Sequence, residues 1–378
     1  LVEIVVVRTT NSVVYDPRVK KIAVSLKKRY SINCLGWNRD AVSEEKINSY
    51  VVKLELFDLK TSVWKPSLIR IFIRLLFFAP AYWAWVFFKL LVSRPQVAHA
   101  CDLDSVLPCY IYKILLRKKL VFDVFDRYAM TFIPKKFKKL YRIINFTEEF
   151  FSKHSDVLIV ANGQNALSTF QKRPSRSEII LNYPNDFETG GSHSARKNEI
   201  FTIAFTGHIR RHRGLETLAS VMRDLKDIQL VITGRNEDNV LLNDIKNIQN
   251  VRYLGILDDS ALLEIERSAN AMFAFYDPVF FQNNMPLPNK IFEAMMCSTP
   301  IVTNIAKEIV NESDCGIVVE YDNMEQIKEA IVTLRDDPHL CRRLGENGRN
   351  AFVKKYNWNL MEQKLYEIYE TLLPTNVI

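Results

Sequence analysis

With 378 residues, 48% hydrophobic and 25% charged, the chain has the composition of a globular protein of about two domains, not of a disordered or low-complexity polymer. Its net charge of +8 is uneven: residues 1–180 carry +15 and the remainder −7, so the first half suits an anionic partner (membrane surface, phosphorylated acceptor or nucleic acid) unless its lysines are simply solvated. Six cysteines, at 34, 101, 109, 297, 315 and 341, form no Cys-x-x-Cys pair and fit no zinc spacing, which leaves reduced, buried thiols of a cytosolic protein.

Leu1–Val7 is an apolar run broken only by Glu3. It reads as a buried parallel strand and is too short, with no basic start, for a signal h-region. Val19, Ile22, Ala23 and Leu26 then recur at helical spacing in Tyr15–Lys28, with Asp16 as candidate cap and Pro17 at the start. Ile32–Trp37, Val97–Ala100, Leu120–Asp123 and Val157–Ala161 continue the strand series, so a parallel sheet with right-handed crossovers is expected.

Leu68–Val92 has the length of a membrane span, but Arg70, Arg74 and Lys89 lie within it and Pro80 divides it. Two shorter helices are expected instead, either on a membrane surface or packed against protein. Residues 184–199, with Pro184, Gly190 and Gly191, read as a linker between a first domain, 1–183, and a second, 200–355. The second series has strands at Phe201–Thr206, Gln229–Thr233, Val251–Leu254, Ala271–Phe275, Pro300–Thr303 and Gly316–Val319. Helical patterns lie between them at Gly214–Leu225, Ser260–Ser268 and Met324–Asp336. Two doubly wound α/β domains fit this order, with ligands at the carboxyl ends of the strands.

Those strand ends carry the chemistry. Phe205–Gly214 runs from a strand into Gly207, then His208, Arg210, Arg211, His212 and Arg213, then a helix start at Gly214. Cations beside a helix N-terminus bind phosphate. Gly234 and Gly255 each close a further strand and let a ligand approach the backbone. Leu287-Pro288-Asn289-Lys290-Ile291-Phe292-Glu293 places one carboxylate, Glu293, in an apolar helix start, where a charge needs a partner. There is no Ser–His–Asp order, P-loop or H-E-x-x-H motif.

Taken together, the glycine–basic-loop–glycine turn, the two further strand-end glycines, Pro-Asn-Lys-x-Phe-Glu-Ala-Met and Thr299-Pro-Ile-Val302 resemble the donor domain of the family 4 glycosyltransferases (glycosyl transferases group 1). The resemblance implies a GT-B fold, with two Rossmann-like domains facing across a cleft and a C-terminal helix, 356–378, crossing back to the first. It places Arg213 and Lys290 on the donor diphosphate, with His208 where the family often has Arg, and Arg210 or Arg211 as substitutes. Glu293 then accepts from the ribose hydroxyls, and Gly207, Gly234, Gly255, Leu287 and Asn289 line the donor site. Met285 stands where the family has its sugar-holding first glutamate.

In the first half, Val97–Asp104 resembles the family's His-x-His-Asp strand end, with Cys101 for the second histidine. This makes His99 and Asp102 candidates for sugar or acceptor contact. Phe122–Asp126 resembles Tyr-Asp-x-His-Glu with Phe125 for the histidine, and Asp16-Pro-Arg-Val19 matches an early family segment. Asp16, Arg18 and Asp126 are acceptor-side candidates. Asp102-Leu-Asp104 also spells DxD, a pattern of a different, metal-dependent architecture. No metal and no cofactor are expected.

The implied function is retaining transfer of a sugar from a nucleoside diphosphate sugar to a hydroxyl of a glycan or lipid-linked glycan. The location expected is cytoplasmic, peripheral at an anionic membrane through Leu68–Val92 and the basic first half, with no nucleic-acid partner. The alternatives are a nucleotide-sugar epimerase of the same fold and a non-catalytic basic membrane-binding scaffold.

Overall fold

The computed structural model describes residues 2–9, 13–38, 52–58, 79–134, 136–161, 166–186, 197–281 and 287–373. The chain forms two compact units, Leu1–Asn182 with Met361–Ile378, and Tyr183–Leu360.

The first unit holds a seven-stranded, all-parallel sheet: β1 Glu3–Arg8, β2 Ser31–Trp37, β3 Lys53–Phe57, β4 Val97–Cys101, β5 Lys119–Val124, β6 Val157–Val160 and β7 Arg176–Ile179, in the order β3-β2-β1-β4-β5-β6-β7. Helices Ala79–Ser93, Leu103–Leu116 and Lys138–His154 share a core with the sheet, in which Tyr82, Val86, Leu90, Val106, Tyr112 and Phe151 pack on Val5, Val7, Ala98, Leu120, Phe122 and Leu158. Helix Pro17–Lys27 opens as its sequence predicts, with the Asp16 carboxylate accepting from the Arg18 and Val19 N–H groups.

The second unit repeats the topology with six parallel strands: β8 Thr202–Thr206, β9 Gln229–Thr233, β10 Val251–Tyr253, β11 Ala271–Ala274, β12 Ile301–Thr303 and β13 Gly316–Val318, in the order β10-β9-β8-β11-β12-β13. In both sheets the chain starts in the middle, winds outward, returns, and winds the other way. This is the doubly wound order, and it opens a crevice where the direction reverses, between β1 and β4 and between β8 and β11.

Two expected segments are described only in part. Residues 68–78 of the long apolar stretch lie outside the described residues. Its remainder is the helix Ala79–Ser93, with Pro80 in the first turn, where it costs no hydrogen bond. No helix among the described residues is long and apolar enough to cross a membrane. In the 184–199 segment, the described ends are tied into the second unit: Trp358 N–H donates to Pro184 O at 3.0 Å, and Arg349 forks onto Asp186 at 2.7 and 2.8 Å.

Helix Trp358–Leu372 begins in the second unit and passes into the first. There Tyr366 donates to Ser25 O at 3.0 Å, Lys28 pairs with Glu362 at 2.8 Å, and Tyr369 is fully buried.

Candidate active site

The loop from β8 to helix Leu215–Asp224 occupies the switch point of the second sheet. Gly207 N–H donates to Thr233 O at 2.9 Å and Gly234 N–H to Gly255 O at 2.8 Å, which ties the ends of β8, β9 and β10 into one rim. Gly234 has φ +135°, and a Cβ on it would stand 1.8 Å from Gly207 O, so backbone lies directly on backbone here. Gly214 has φ +69°, and its missing Cβ leaves the room taken by Phe275, 2.7 Å away.

The cations of this loop are not equivalent. His208 lies 2.6 Å from Glu237, and Arg210 3.8 Å from the same carboxylate. Arg211 pairs with Asp238 at 3.2 Å. His212 pairs with Asp277 at 2.8 Å and stacks on Phe280 with centroids 4.2 Å apart. Arg213 differs. Its guanidinium lies 4.0 Å over the Tyr276 ring, its Nε is buried without a hydrogen-bond partner, and no carboxylate among the described residues pairs with it. Tyr276 is fixed in turn by Asn304, at the end of β12, whose amide bonds both its N–H and its C=O.

The second cluster is acidic. Helix Asn289–Met296 starts after Pro288, with Asn289 exposed and Leu287 half-buried before it. Lys290 contacts Glu293 one turn on, and its Nζ also lies 3.1 Å from Glu266, on helix Asp259–Ser268. Glu266 is 2% exposed and accepts from Thr206 Oγ1, at the end of β8, at 2.7 Å. Burial, with Glu293 adding to it, pushes the Glu266 carboxyl up to about 7 against the pull of Lys290. Burial opposes the charge on Lys290, but Glu293 and Glu266 outweigh it and hold the ammonium more firmly protonated than a free lysine.

Lys290, placed by the resemblance near the diphosphate and the sugar, is thus held between two carboxylates. Glu266 and Asn304 escaped the sequence reading. Glu266 had a signal, since it follows Leu262 and Leu263 by four and three residues and so falls on the apolar face of its helix. Met285 lies outside the described residues.

In the first unit, the switch point is filled by a buried charge network. Arg8, at the end of β1, reaches Asp16 at 3.0 Å and also contacts Asp102. Arg18 forks onto Asp123 at 2.8 and 3.1 Å and donates to Ile180 O. Both guanidinium groups lie over Phe125, 4.3 and 4.9 Å from its centroid, where the family resemblance put a histidine.

His99 and Asp102, expected at the sugar or acceptor, are enclosed instead. His99 is fully buried, with Nδ1 2.6 Å from Tyr369 Oη and Nε2 3.2 Å from Asp123. Asp102 is 2% exposed; beyond Arg8, it accepts from the N–H groups of Phe125 and Asp126 at 2.7 and 3.3 Å. Burial pushes Asp102 up to about 7 despite Arg8. Burial acts the same way on Asp123, but Arg18 and His99 outweigh it and hold that carboxyl below its ordinary value. Asp16 and Arg18, expected to face an acceptor, are 5% and 3% exposed, because inside the unit Arg8 pairs with Asp16 and Asp123 with Arg18. Asp126 is half-buried beside them.

Two doubly wound units of parallel sheet and helix, the second with a glycine-lined rim at its switch point, make up the GT-B fold. Residues 200–337, within the second unit, match the family model Glycosyl transferases group 1. A phosphatidyl-myo-inositol mannosyltransferase of Mycobacterium leprae is 26% identical over 180 residues, 45% of this chain and 46% of the relative. The chain therefore spans about half the length of the curated relatives it matches. Among solved structures, a sucrose-phosphate synthase from Thermosynechococcus elongatus superposes with a TM-score of 0.72 at 16% identity, over 98% of this chain and 99% of that one. HepE from Anabaena, solved in complex with UDP and glucose, gives 0.70 at 15% identity, over 98% and 100%.

Proposed function

We propose that the chain transfers a sugar, with retention, from a nucleoside diphosphate sugar to a hydroxyl of a glycan or lipid-linked glycan. The observation that carries this reading is Arg213, a partly buried cation held on Tyr276 beside a helix start and lacking a carboxylate partner among the described residues. An unmatched cation at the switch point of a doubly wound sheet suits a ligand anion.

In this reading Arg213 and the first N–H groups of helix Leu215–Asp224 meet the charge that develops on the leaving diphosphate. Glu293 accepts from the ribose hydroxyls, and Lys290, fixed by Glu266, keeps that carboxylate oriented. The ring of Tyr276 limits water around the guanidinium. The reaction draws on no metal and no cofactor. The leaving phosphate oxygen takes the acceptor proton on the face it departs from, so the anomeric configuration is kept. A lipid-linked acceptor agrees with the +15 charge of residues 1–180 and with the M. leprae mannosyltransferase, whose name specifies a phosphatidylinositol substrate. On this reading the protein works peripherally at an anionic membrane facing the cytoplasm.

The test is thermal stabilisation of the full chain by UDP, GDP, ADP and dTDP and their common sugars, with and without magnesium. Stabilisation follows RT ln(1 + [L]/Kd), so millimolar ligand reveals weak sites. One nucleotide should raise the melting temperature, and Glu293→Ala should abolish the rise. No rise with any nucleotide in a folded sample would favour a non-catalytic scaffold.

A further inference from the structure

The segment that follows β5 exposes an unusual surface. From Arg127 to Thr147 the sequence contains no acidic residue. Met130, Phe132, Phe137, Leu140, Ile143 and Phe146 are all exposed, the last two by 62% and 64%. Leu140, Ile143 and Phe146 recur at three-residue spacing and form a stripe along helix Lys138–His154. Lys136, Lys138, Lys139 and Arg142 are exposed among them.

The acids of that helix point the other way. Glu148 accepts from Arg127 Nε at 3.1 Å and from Tyr128 N–H at 2.6 Å, and Glu149 from Arg127 at 3.3 Å and Lys172 N–H at 2.7 Å. The fold thus takes its negative charge inward and leaves a face that is apolar and cationic together.

We infer that this face, Met130 to Phe146, docks the first unit on an anionic lipid bilayer. Soluble surfaces rarely expose so large a cluster of aromatic and aliphatic side chains. A helix with bulky apolar side chains flanked by lysine and arginine settles at the headgroup level, where both kinds of group are satisfied. A second copy of the chain is a poorer occupant, because a two-fold contact would bring these cations onto their own equivalents. The face also follows the carboxyl end of β5, the edge on which doubly wound sheets take ligands. Docked this way, the unit meets an acceptor carried in the bilayer. This last step rests on the lipid-linked reading above.

The experiment is co-sedimentation of the full chain with phosphatidylcholine vesicles, with and without phosphatidylglycerol. Wild type, Ile143→Ser/Phe146→Ser and Lys138→Glu/Lys139→Glu are compared, and melting temperature and the nucleotide-induced rise are read on the same samples. Wild type should bind the anionic vesicles, more weakly as salt rises. Each double variant should lose at least about tenfold in partitioning, given the attraction of each basic residue to an anionic surface, with melting temperature and nucleotide rise unchanged. No wild-type binding, or variants that bind like wild type, overturns the inference. So does a wild-type dimer by light scattering that the serine variant dissolves. Vesicle binding without any nucleotide rise would leave the surface standing and remove the transferase reading; a nucleotide rise without vesicle binding does the reverse.

Discussion

Asn304 holds Tyr276 by both halves of its backbone, accepting from the N–H at 2.9 Å and donating to the C=O at 2.8 Å. The ring so fixed carries Arg213. The Arg213 guanidinium is therefore set by Asn304, which follows a different strand, and its position can be disturbed without touching it.

Asn304→Ala should lower kcat/KM for the nucleotide sugar by roughly 10-fold, and Arg213→Ala by about 100-fold or more, in line with the loss of one electrostatic donor to a transition state. Calorimetry separates the roles. Arg213→Ala should remove most of the affinity difference between the nucleoside diphosphate and its nucleoside, and Asn304→Ala only part of it. Equal losses for the diphosphate and the nucleoside would place the arginine away from the phosphates.

Glu266 gives a pH dependence with a definite sign. Burial pushes its carboxyl up from an ordinary 4.5 to about 7 in the folded chain. Between these pH values the native state holds a proton that the unfolded chain has released. The group's contribution to stability therefore falls as pH rises from about 4.5 to 7 and is flat above. Glu266→Gln does not titrate. The melting temperature of the variant relative to wild type should climb across that interval, by the equivalent of up to ~3 kcal/mol. A pH-independent difference would contradict the buried, proton-holding carboxylate.

Gly234→Ala places a Cβ 1.8 Å from the Gly207 carbonyl at a φ of +135°. The clash and the backbone strain together should cost about 3 kcal/mol or more, read as a lower denaturant midpoint. Nucleotide binding should fail with it, because the same contact shapes the rim.

His99 and Tyr369 are 2.6 Å apart, fully buried, with rings nearly parallel. Tyr369→Phe should destabilise the first unit by about 1–2 kcal/mol, the cost of leaving a buried polar partner unmade. The nucleotide-induced rise, which arises in the second unit, should persist. If Tyr369→Phe instead abolished turnover with stability intact, His99 would return as a reacting group.

What the sequence made legible follows from burial and backbone. The central strands of both sheets are continuous apolar runs or end in glycine, and Gln229–Thr233 and Met324–Asp336 fall where the pattern put them. The two strands that escaped, β3 and β7, are the edges of the first sheet. Lys-Leu-Glu-Leu-Phe alternates and Arg-Ser-Glu-Ile is polar, as edges facing water tend to be. In the second unit, the glycines and Glu293 announced themselves by position along the chain. Glu266 and Asn304 act through residues far away in sequence, and a single chain gives no register for such pairs. The polar residues of the first unit misled for the opposite reason. Asp16, Arg18, His99 and Asp102 look reactive one by one, and only their mutual distances reveal that each one's partner is another of the same unit.

Helix Trp358–Leu372 gives the first unit a seam in time as well as in sequence. Emerging from the ribosome, residues 1–182 must wait for 361–372 before His99 gains its tyrosine and Ser25 its hydroxyl donor. The second unit, contiguous from 183 to 360, takes only the start of that helix and is complete before 361–372 has emerged. The later half of the protein should therefore finish folding first, and the earlier half, with its buried charges, should be the part that chaperones guard longest.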